Sequence, residues 1–176
     1  MERKLLENEN IRLRALEPED LEQLYVWEND TGLWERGSTL APYSRYVLKQ
    51  YIAESGDDIY RCRQLRLMIE LKETAAAVGT IDVYDFDPHH RRAGVGILID
   101  PGYQRKGIAT EALTLLIQYV FSFLKLHQLY ACIPVANTPS RRLFEQCGFQ
   151  SMGLLKEWLL TADGYVDVII TGYILN

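Results

Sequence analysis

The sequence of 176 residues has little of what marks secreted or membrane-spanning proteins. Its three cysteines, Cys62, Cys132 and Cys147, are odd in number and sparse, whereas a disulfide framework needs an even and denser set. No stretch approaches the roughly 20 apolar residues of a membrane helix, and no apolar segment follows the charged N-terminus. We therefore expect a cytoplasmic protein that is not associated with a membrane.

Basic charge and metal-ligand patterns are also scarce. The 19 Lys and Arg residues against 24 Asp and Glu residues give a net charge of -5, so the surface lacks the positive field that attracts nucleic acids. His89 and His90 are adjacent, His127 is alone, and no cysteine pair has ligand spacing. Gly94 and Gly96 lack the third glycine of a dinucleotide-binding fingerprint, and no nucleoside-triphosphatase loop is present. We expect neither a nucleic-acid partner nor a bound metal.

What the chain does contain is typical of a folded domain. Hydrophobic residues make up 48% and charged residues 24%, close to the average for globular proteins. The length suits one domain that covers residues 1–176.

Hydrophobic periodicity predicts a mixed α/β fold. Period-2 or apolar runs predict strands over residues 11–16, 65–71, 77–86, 92–99, 129–135, 155–160 and 165–174. Helical spacing predicts helices from residue 18 and over residues 43–54, 110–124 and 139–146, with a loop over 30–42. The Asp163-Gly164 pair between two apolar runs predicts a hairpin.

The most informative segment covers residues 97–110, where a strand leads through a basic, glycine-containing turn into a helix. Backbone N–H groups at a helix N-terminus have no partners within the helix and attract anions. Gly107 permits close backbone approach, while Arg105 and Lys106 add positive charge. The segment indicates a pyrophosphate site, although an ordinary tight turn with a solvated basic pair explains it equally well.

Two motifs then resemble those of the Gcn5-related N-acetyltransferase (GNAT) superfamily. The run from Gln104 to Ala109 is similar to the Q/R-x-x-G-x-G/A acetyl-CoA motif, and the spaced Asn137, Ser140, Phe144 and Gly148-Phe149 resemble the second motif. Residues 11–21, 27–30 and 163–167 resemble the branch of ribosomal-protein-alanine and spermidine N-acetyltransferases. The resemblance spans nearly the whole chain.

The resemblance implies a mixed, mostly antiparallel central sheet flanked by helices and an acetyl-CoA cosubstrate. The strand matching residues 97–99 would splay from its neighbour and pair with the pantetheine arm. The turn at residues 104–110 would hold the pyrophosphate, with Asn137 nearby as a cofactor contact or only a helix cap. The implied cofactor residues are Ile97, Leu98, Ile99, Gln104, Arg105, Lys106, Gly107, Ile108, Ala109, Thr110, Asn137 and Arg142.

At two positions the sequence departs from the family pattern. Many relatives have a tyrosine acid where this chain has Phe144, and the spermidine enzymes have a glutamate where it has Gly94. Water or Ser140 could supply the proton instead. As bases we nominate Asp82 and Asp85, whose odd spacing along a strand should direct them to opposite faces, so that at most one lines the cleft. A carboxylate in such a position is more often an ordinary surface residue than a base.

The resulting hypothesis is an N-acetyltransferase that moves the acetyl group of acetyl-CoA to a primary amine. The acceptor is a small amine such as a polyamine, or a protein N-terminal amine. Acidic residues at 28–35, including Glu28 and Asp30, could attract a polyamine, yet residues 39–43 lack the carboxylates of the spermidine enzymes. Alternatives are a non-catalytic CoA-binding regulatory protein and an antibiotic-modifying acetyltransferase. Relatives often pair, so a homodimer is possible.

Overall fold

The computed structural model describes residues 5–34, 39–56 and 58–175. Its strands are β1 (Ile11–Arg14), β2 (Leu65–Leu71), β3 (Ala77–Asp87), β4 (Arg92–Ile99), β5 (Gln128–Pro134), β6 (Gln150–Thr161) and β7 (Gly164–Ile174). Its α-helices are α1 (Leu21–Glu28), α2 (Thr31–Trp34), α3 (Arg45–Glu54), α4 (Ile59–Cys62), α5 (Ile108–Ser122) and α6 (Thr138–Gln146). Short 3-10 helices precede α1 at Pro18–Asp20 and follow β4 at Pro101–Tyr103.

The strands form one seven-stranded sheet in the order β1-β2-β3-β4-β5-β7-β6. Neighbours are antiparallel except β4 and β5, which run parallel. The three strands predicted over residues 65–71, 77–86 and 92–99 form a meander, since β2, β3 and β4 are consecutive neighbours. The mixed, mostly antiparallel sheet flanked by helices is confirmed as well.

Alternating side chains along the strands build two apolar layers, one on each face of the sheet. On one face Ile81, Val83 and Val95 pack with Leu113 and Leu116 of α5, all at most 2% exposed. On the other face Met68 packs against Leu24 and Trp27 of α1 and Ile52 of α3. Side chains on this second face therefore lie on the side of α1 and α3.

The parallel pair β4 and β5 separates soon after it forms. Within the described residues, their pairing covers only Arg92–Gly94 opposite Gln128–Tyr130. β4 continues to Ile99 and β5 to Pro134, so the two strands enclose an open fork whose closed end lies at Gly94 and Tyr130. This fork is the main irregularity in the sheet.

Several boundaries differ from the sequence expectation. α5 begins at Ile108 rather than at residue 110, and β6 begins at Gln150 rather than at 155. The one-turn helix α2 lies in the predicted loop and α4 was not predicted, because four residues are too few to establish a period. Residues 35–38 of that loop, and Asp57, lie outside the described residues.

The hairpin prediction is confirmed: β6 and β7 join at Thr161 and Gly164, and Gly164 has φ +112°. In the described ranges, no helix combines the length and apolarity needed to cross a bilayer.

Candidate active site

The edge of β4 that faces the fork carries unpaired peptide groups. In an antiparallel pair, alternate residues direct both N–H and C=O toward the partner strand. The Asp100 N–H donates to the Val78 carbonyl (2.9 Å), and this pair continues the register between β3 and β4. The peptide groups of the even-numbered β4 residues therefore point toward β3. Val95 and Ile97 therefore direct their N–H and C=O groups into the fork. The Ile99 carbonyl accepts a hydrogen bond from the Gln104 side-chain amide (3.0 Å), which closes this edge at its far end.

The opposing edge of β5 offers fewer free peptide groups than that of β4. Val135 N–H donates to the Asp167 carbonyl (3.0 Å), so the odd-numbered residues face β7 and the even-numbered ones face the fork. Pro134 has no N–H, and its carbonyl accepts from the Asn137 N–H (2.9 Å). The backbone N–H of Cys132 lies near enough to the Tyr84 hydroxyl to act on its pKa. An extended ligand in the fork would thus add to β4 rather than to β5.

The turn after β4 is held by side chains from both sides. Asp100 accepts from the Gly102 N–H (2.9 Å) with one carboxylate oxygen and from the Trp27 indole N–H (2.9 Å) with the other. Trp27 is 5% exposed in α1, so this bond ties α1 to the turn. The Lys106 ammonium donates to the Gly102 carbonyl (3.1 Å) and lies 4.9 Å from the Tyr103 ring centre.

The N-terminus of α5 is an exposed cluster of backbone donors. Gly107 occupies the N-cap position with φ +81°, and Arg105 has φ +61°. Among the described residues no side chain caps this helix, and a Cβ built on Gly107 meets no atom within 4 Å. The first-turn N–H groups of Ile108, Ala109 and Thr110 therefore point to an accessible space with positive potential, as an anion site requires.

Across the fork, β5 leads into α6. Asn137 caps that helix, and its side-chain oxygen accepts from the Ser140 N–H (3.3 Å). Ser140 is half-buried in the first turn, and Arg142 is exposed on the helix surface. Phe144 is only 2% exposed and packs edge-on against Phe149 with ring centres 4.9 Å apart. Phe144 is therefore a core residue.

Asp82 belongs to a charged cluster on the face of the sheet that carries α1 and α3. Its carboxylate accepts from Arg66 Nε (2.6 Å) and Nη2 (3.1 Å), while Arg66 Nη1 donates to Glu28. The side chains of Arg66 and Asp82 are each 18% exposed and that of Glu28 is 20% exposed. Burial alone would lower the pKa of Arg66, but the neighbouring Asp82 carboxylate raises it above its ordinary value. Two carboxylates and one guanidinium give this acidic cluster one net negative charge. Asp82 lies opposite Gly96 of β4 in the sheet register, so the cluster is next to the fork.

Asp85 does not follow the alternation expected from its spacing to Asp82. It has φ +49° and lies where the register between β3 and β4 shifts. Its carboxylate accepts from the Tyr130 hydroxyl (3.2 Å) on β5. Burial, with Asp85 adding to it, raises the pKa of Tyr130 to about 12.

Sequence reasoning missed Arg66 and Tyr84. Tyr84 lies on β3 opposite Gly94, and its ring is in edge-to-face contact with that of Tyr130 (6.0 Å between centres). A signal was present, because a glycine within a strand often marks the close approach of another group. Both Gly94 and Gly96 lie beneath this ring.

A comparison with protein families decides the identity of this fold. An acetyltransferase (GNAT) domain matches residues 10–150. The chain belongs to the GNAT acetyltransferases.

Individual relatives agree with this family. A spermidine N(1)-acetyltransferase of Escherichia coli K12 is 30% identical over 155 residues, which are 88% of this chain and 81% of that protein. The crystal structure of spermidine N-acetyltransferase from Vibrio cholerae in complex with CoA and spermine superposes with a TM-score of 0.84 at 27% identity, covering 95% of this chain and 96% of that one. A dodecameric structure of spermidine N-acetyltransferase from Vibrio cholerae has a TM-score of 0.79 at 28% identity and covers 95% of each chain.

The protein is therefore an acetyl-CoA-dependent N-acetyltransferase, and its fork suits that cosubstrate. The open peptide groups of Val95 and Ile97 can pair with an extended arm that carries amide groups, and the donors at Gly107 can take a pyrophosphate. When bound, acetyl-CoA supplies an activated acetyl group.

Proposed function

We propose that this acetyltransferase acetylates a cationic primary amine of the polyamine class. The observation that carries the proposal is the acidic cluster of Glu28, Arg66 and Asp82, with its one net negative charge beside the fork. A partly buried negative charge attracts an ammonium group more strongly than an exposed one, because solvent screens it less. The net charge of -5 adds to the attraction at long range.

The relatives support the same acceptor class. The Escherichia coli relative is a spermidine acetyltransferase, and the Vibrio cholerae neighbour was crystallised with CoA and spermine. Residues 39–43 of this chain carry no carboxylate, so Glu28 and Asp82 would provide the negative charge instead. Asp30 is an exposed further carboxylate whose oxygen accepts from the Gly32 N–H (2.9 Å).

Different residues of the chain would bind the cosubstrate, bind the acceptor and transfer protons. The turn at residues 104–110 binds the anionic end of the cosubstrate, and the β4 edge orients the reactive end. The acidic cluster holds the distal ammonium group of the acceptor, while the reacting amine loses its proton to water or to Asp85. Oriented binding of this kind can contribute about 7–11 kcal/mol of the barrier. Ser140 is one candidate donor of the proton that the departing thiolate takes up.

The test compares acceptors and removes one charge from the acidic cluster. CoA release is measured with spermidine, with a peptide that begins with alanine, and with an aminoglycoside. We expect spermidine to be preferred, and Glu28→Gln to raise its KM about tenfold, as expected for a lost contact to a charged group. Glu22→Gln on the same helix is the matched control, because Glu22 is 67% exposed and pairs with Arg45 away from the fork. Preference for the peptide, or an unchanged KM in Glu28→Gln, contradicts the proposal.

We also propose that the protein self-associates through β6 and β7. β6 is an edge strand, and the two strands expose a row of large apolar side chains: Leu154 (47%), Trp158 (59%), Leu160 (68%) and Tyr165 (65%). An apolar patch at a sheet edge is typical of a surface that another chain covers.

A further inference from the structure

Tyr84 bridges the two strands of the fork at its closed end. The residue is on β3, its register partner on β4 is Gly94, and its ring is in edge-to-face contact with that of Tyr130 on β5. The backbone N–H of Cys132, also on β5, lies near the Tyr84 hydroxyl. Because Gly94 and Tyr130 form the last pair before the strands separate, this hydroxyl lies where the open edge begins.

The two glycines of β4 make room for the Tyr84 ring. A Cβ on Gly94 would lie 2.2 Å from Tyr84 Cε2, and one on Gly96 would lie 3.8 Å from Tyr84 Cε1. A side chain at 94 would therefore have to displace the ring.

The order of elements indicates which end of an extended ligand approaches Tyr84. The anion site at Gly107 lies beyond the C-terminal end of β4, and the open peptide groups run back from Ile97 to Val95. An arm anchored at the anion site and paired with β4 therefore brings its sulfur end toward the closed end of the fork. The buried Phe144 carries no proton to donate there.

We propose that Tyr84 is the catalytic acid of this enzyme, donating its phenolic proton to the departing CoA sulfur. The inference rests on the acetyl transfer described above. As the amine nitrogen bonds to the acetyl carbon, the carbon–sulfur bond breaks and its electron pair stays on sulfur. That sulfur takes the Tyr84 proton, the amine gives its surplus proton to water, and the Tyr84 phenolate regains a proton from water.

The surroundings keep this hydroxyl in the form that can donate. Burial raises the pKa of Tyr84 above its ordinary value, so the phenol keeps its proton throughout the neutral range. The nearby Cys132 backbone N–H lowers the pKa of Tyr84, but its effect is smaller than that of burial. A general acid of this kind typically contributes about 10²–10⁴-fold to the rate.

The first experiment measures binding, so that it does not depend on turnover. CoA and desulfo-CoA, which lacks the thiol, are titrated by calorimetry into the wild type, Tyr84→Phe and Ser140→Ala. We expect the wild type to favour CoA about fivefold, the size of one hydrogen bond, and Tyr84→Phe to lose this preference. We also expect kcat to fall about 10²-fold or more in Tyr84→Phe with little change in the KM for acetyl-CoA. Tyr119→Phe is the matched control, since Tyr119 is a half-buried tyrosine of α5 stacked on Phe123, outside the fork.

The outcomes separate this proposal from the proposed function. If Tyr84→Phe keeps both the preference for CoA and the wild-type kcat, or if Ser140→Ala loses them instead, the assignment to Tyr84 is overturned while acetyl transfer stands. If the folded wild type binds neither ligand, acetyl transfer fails and the assignment fails with it. Should Tyr84→Phe not fold, 3-fluorotyrosine at position 84 replaces it: its fluorine resonance should shift with CoA and not with desulfo-CoA, and equal shifts overturn the proposal.

Discussion

Asp82 and Asp85 are three positions apart on β3, yet their environments differ in kind. Asp82 accepts hydrogen bonds from two nitrogens of the half-buried Arg66, whereas Asp85 is exposed and accepts one from the Tyr130 hydroxyl. A carboxylate committed to a buried cation is a poor acceptor for a substrate proton, because taking up the proton would leave Arg66 with one partner fewer. Asp85 is therefore the better of the two candidate bases.

Asparagine at each position separates these roles. We expect Asp82→Asn to lower the free energy of unfolding by about 2–3 kcal/mol, because it removes one partner of a mostly buried guanidinium. Asp85→Asn should change stability by less than about 0.5 kcal/mol, since the site is exposed and asparagine tolerates a positive φ. Urea unfolding measures both stabilities, and initial acetylation rates test the candidate bases, with the larger loss of rate expected for Asp85→Asn. Equal stabilities would contradict the description of the acidic cluster, and equal rates near the wild type would eliminate both residues as bases.

At the scale of elements, the β4 strand, the turn and the α5 N-terminus form one unit of the fold, which we propose binds acetyl-CoA. Asp100 fixes the start of the turn by accepting hydrogen bonds from the Gly102 N–H and the Trp27 indole. Gly107 is the N-cap of α5 and has no side chain to cover the first-turn N–H groups. In this unit the open edge of β4 is followed directly in the chain by the turn and by the proposed anion site at the start of α5.

A negative side chain at position 107 should disable this unit. We expect Gly107→Glu to weaken acetyl-CoA binding about 100-fold, because it places a charge where the pyrophosphate must approach. Gly107→Ala is the matched control: it carries the same backbone strain at φ +81° without the charge and should lose far less affinity. Calorimetry on both folded variants measures the difference, and an unchanged affinity in Gly107→Glu places the phosphates elsewhere.

Elements with a local signal could be predicted from the sequence, and those that depend on distant contacts could not. The strand at 92–99, the Asp163-Gly164 hairpin and the cap at Asn137 follow from period and turn chemistry. The fork could not be predicted from period, because the apolar pattern of β4 is the same in its paired and open halves. The Arg66 cluster and the Tyr84 bridge join elements far apart in the chain, so no local pattern encodes them.

At the scale of the whole molecule, the exposed apolar row on β6 and β7 predicts association. We expect the wild type to be oligomeric by light scattering and Trp158→Lys to shift it to a smaller species, because the lysine would be buried without a partner. Phe123→Lys is the control, since Phe123 is 63% exposed at the end of α5. A monomeric wild type, or an equal effect of both variants, contradicts an interface at this edge.

The central claim is that the fork between β4 and β5, together with the N-terminus of α5, holds acetyl-CoA for transfer to an amine. The most direct test is a calorimetric titration of acetyl-CoA into the folded protein. The account predicts saturable binding at one site per chain, near micromolar affinity. No detectable binding by a folded sample would contradict it, because the open β4 edge and the uncapped helix would then have no ligand.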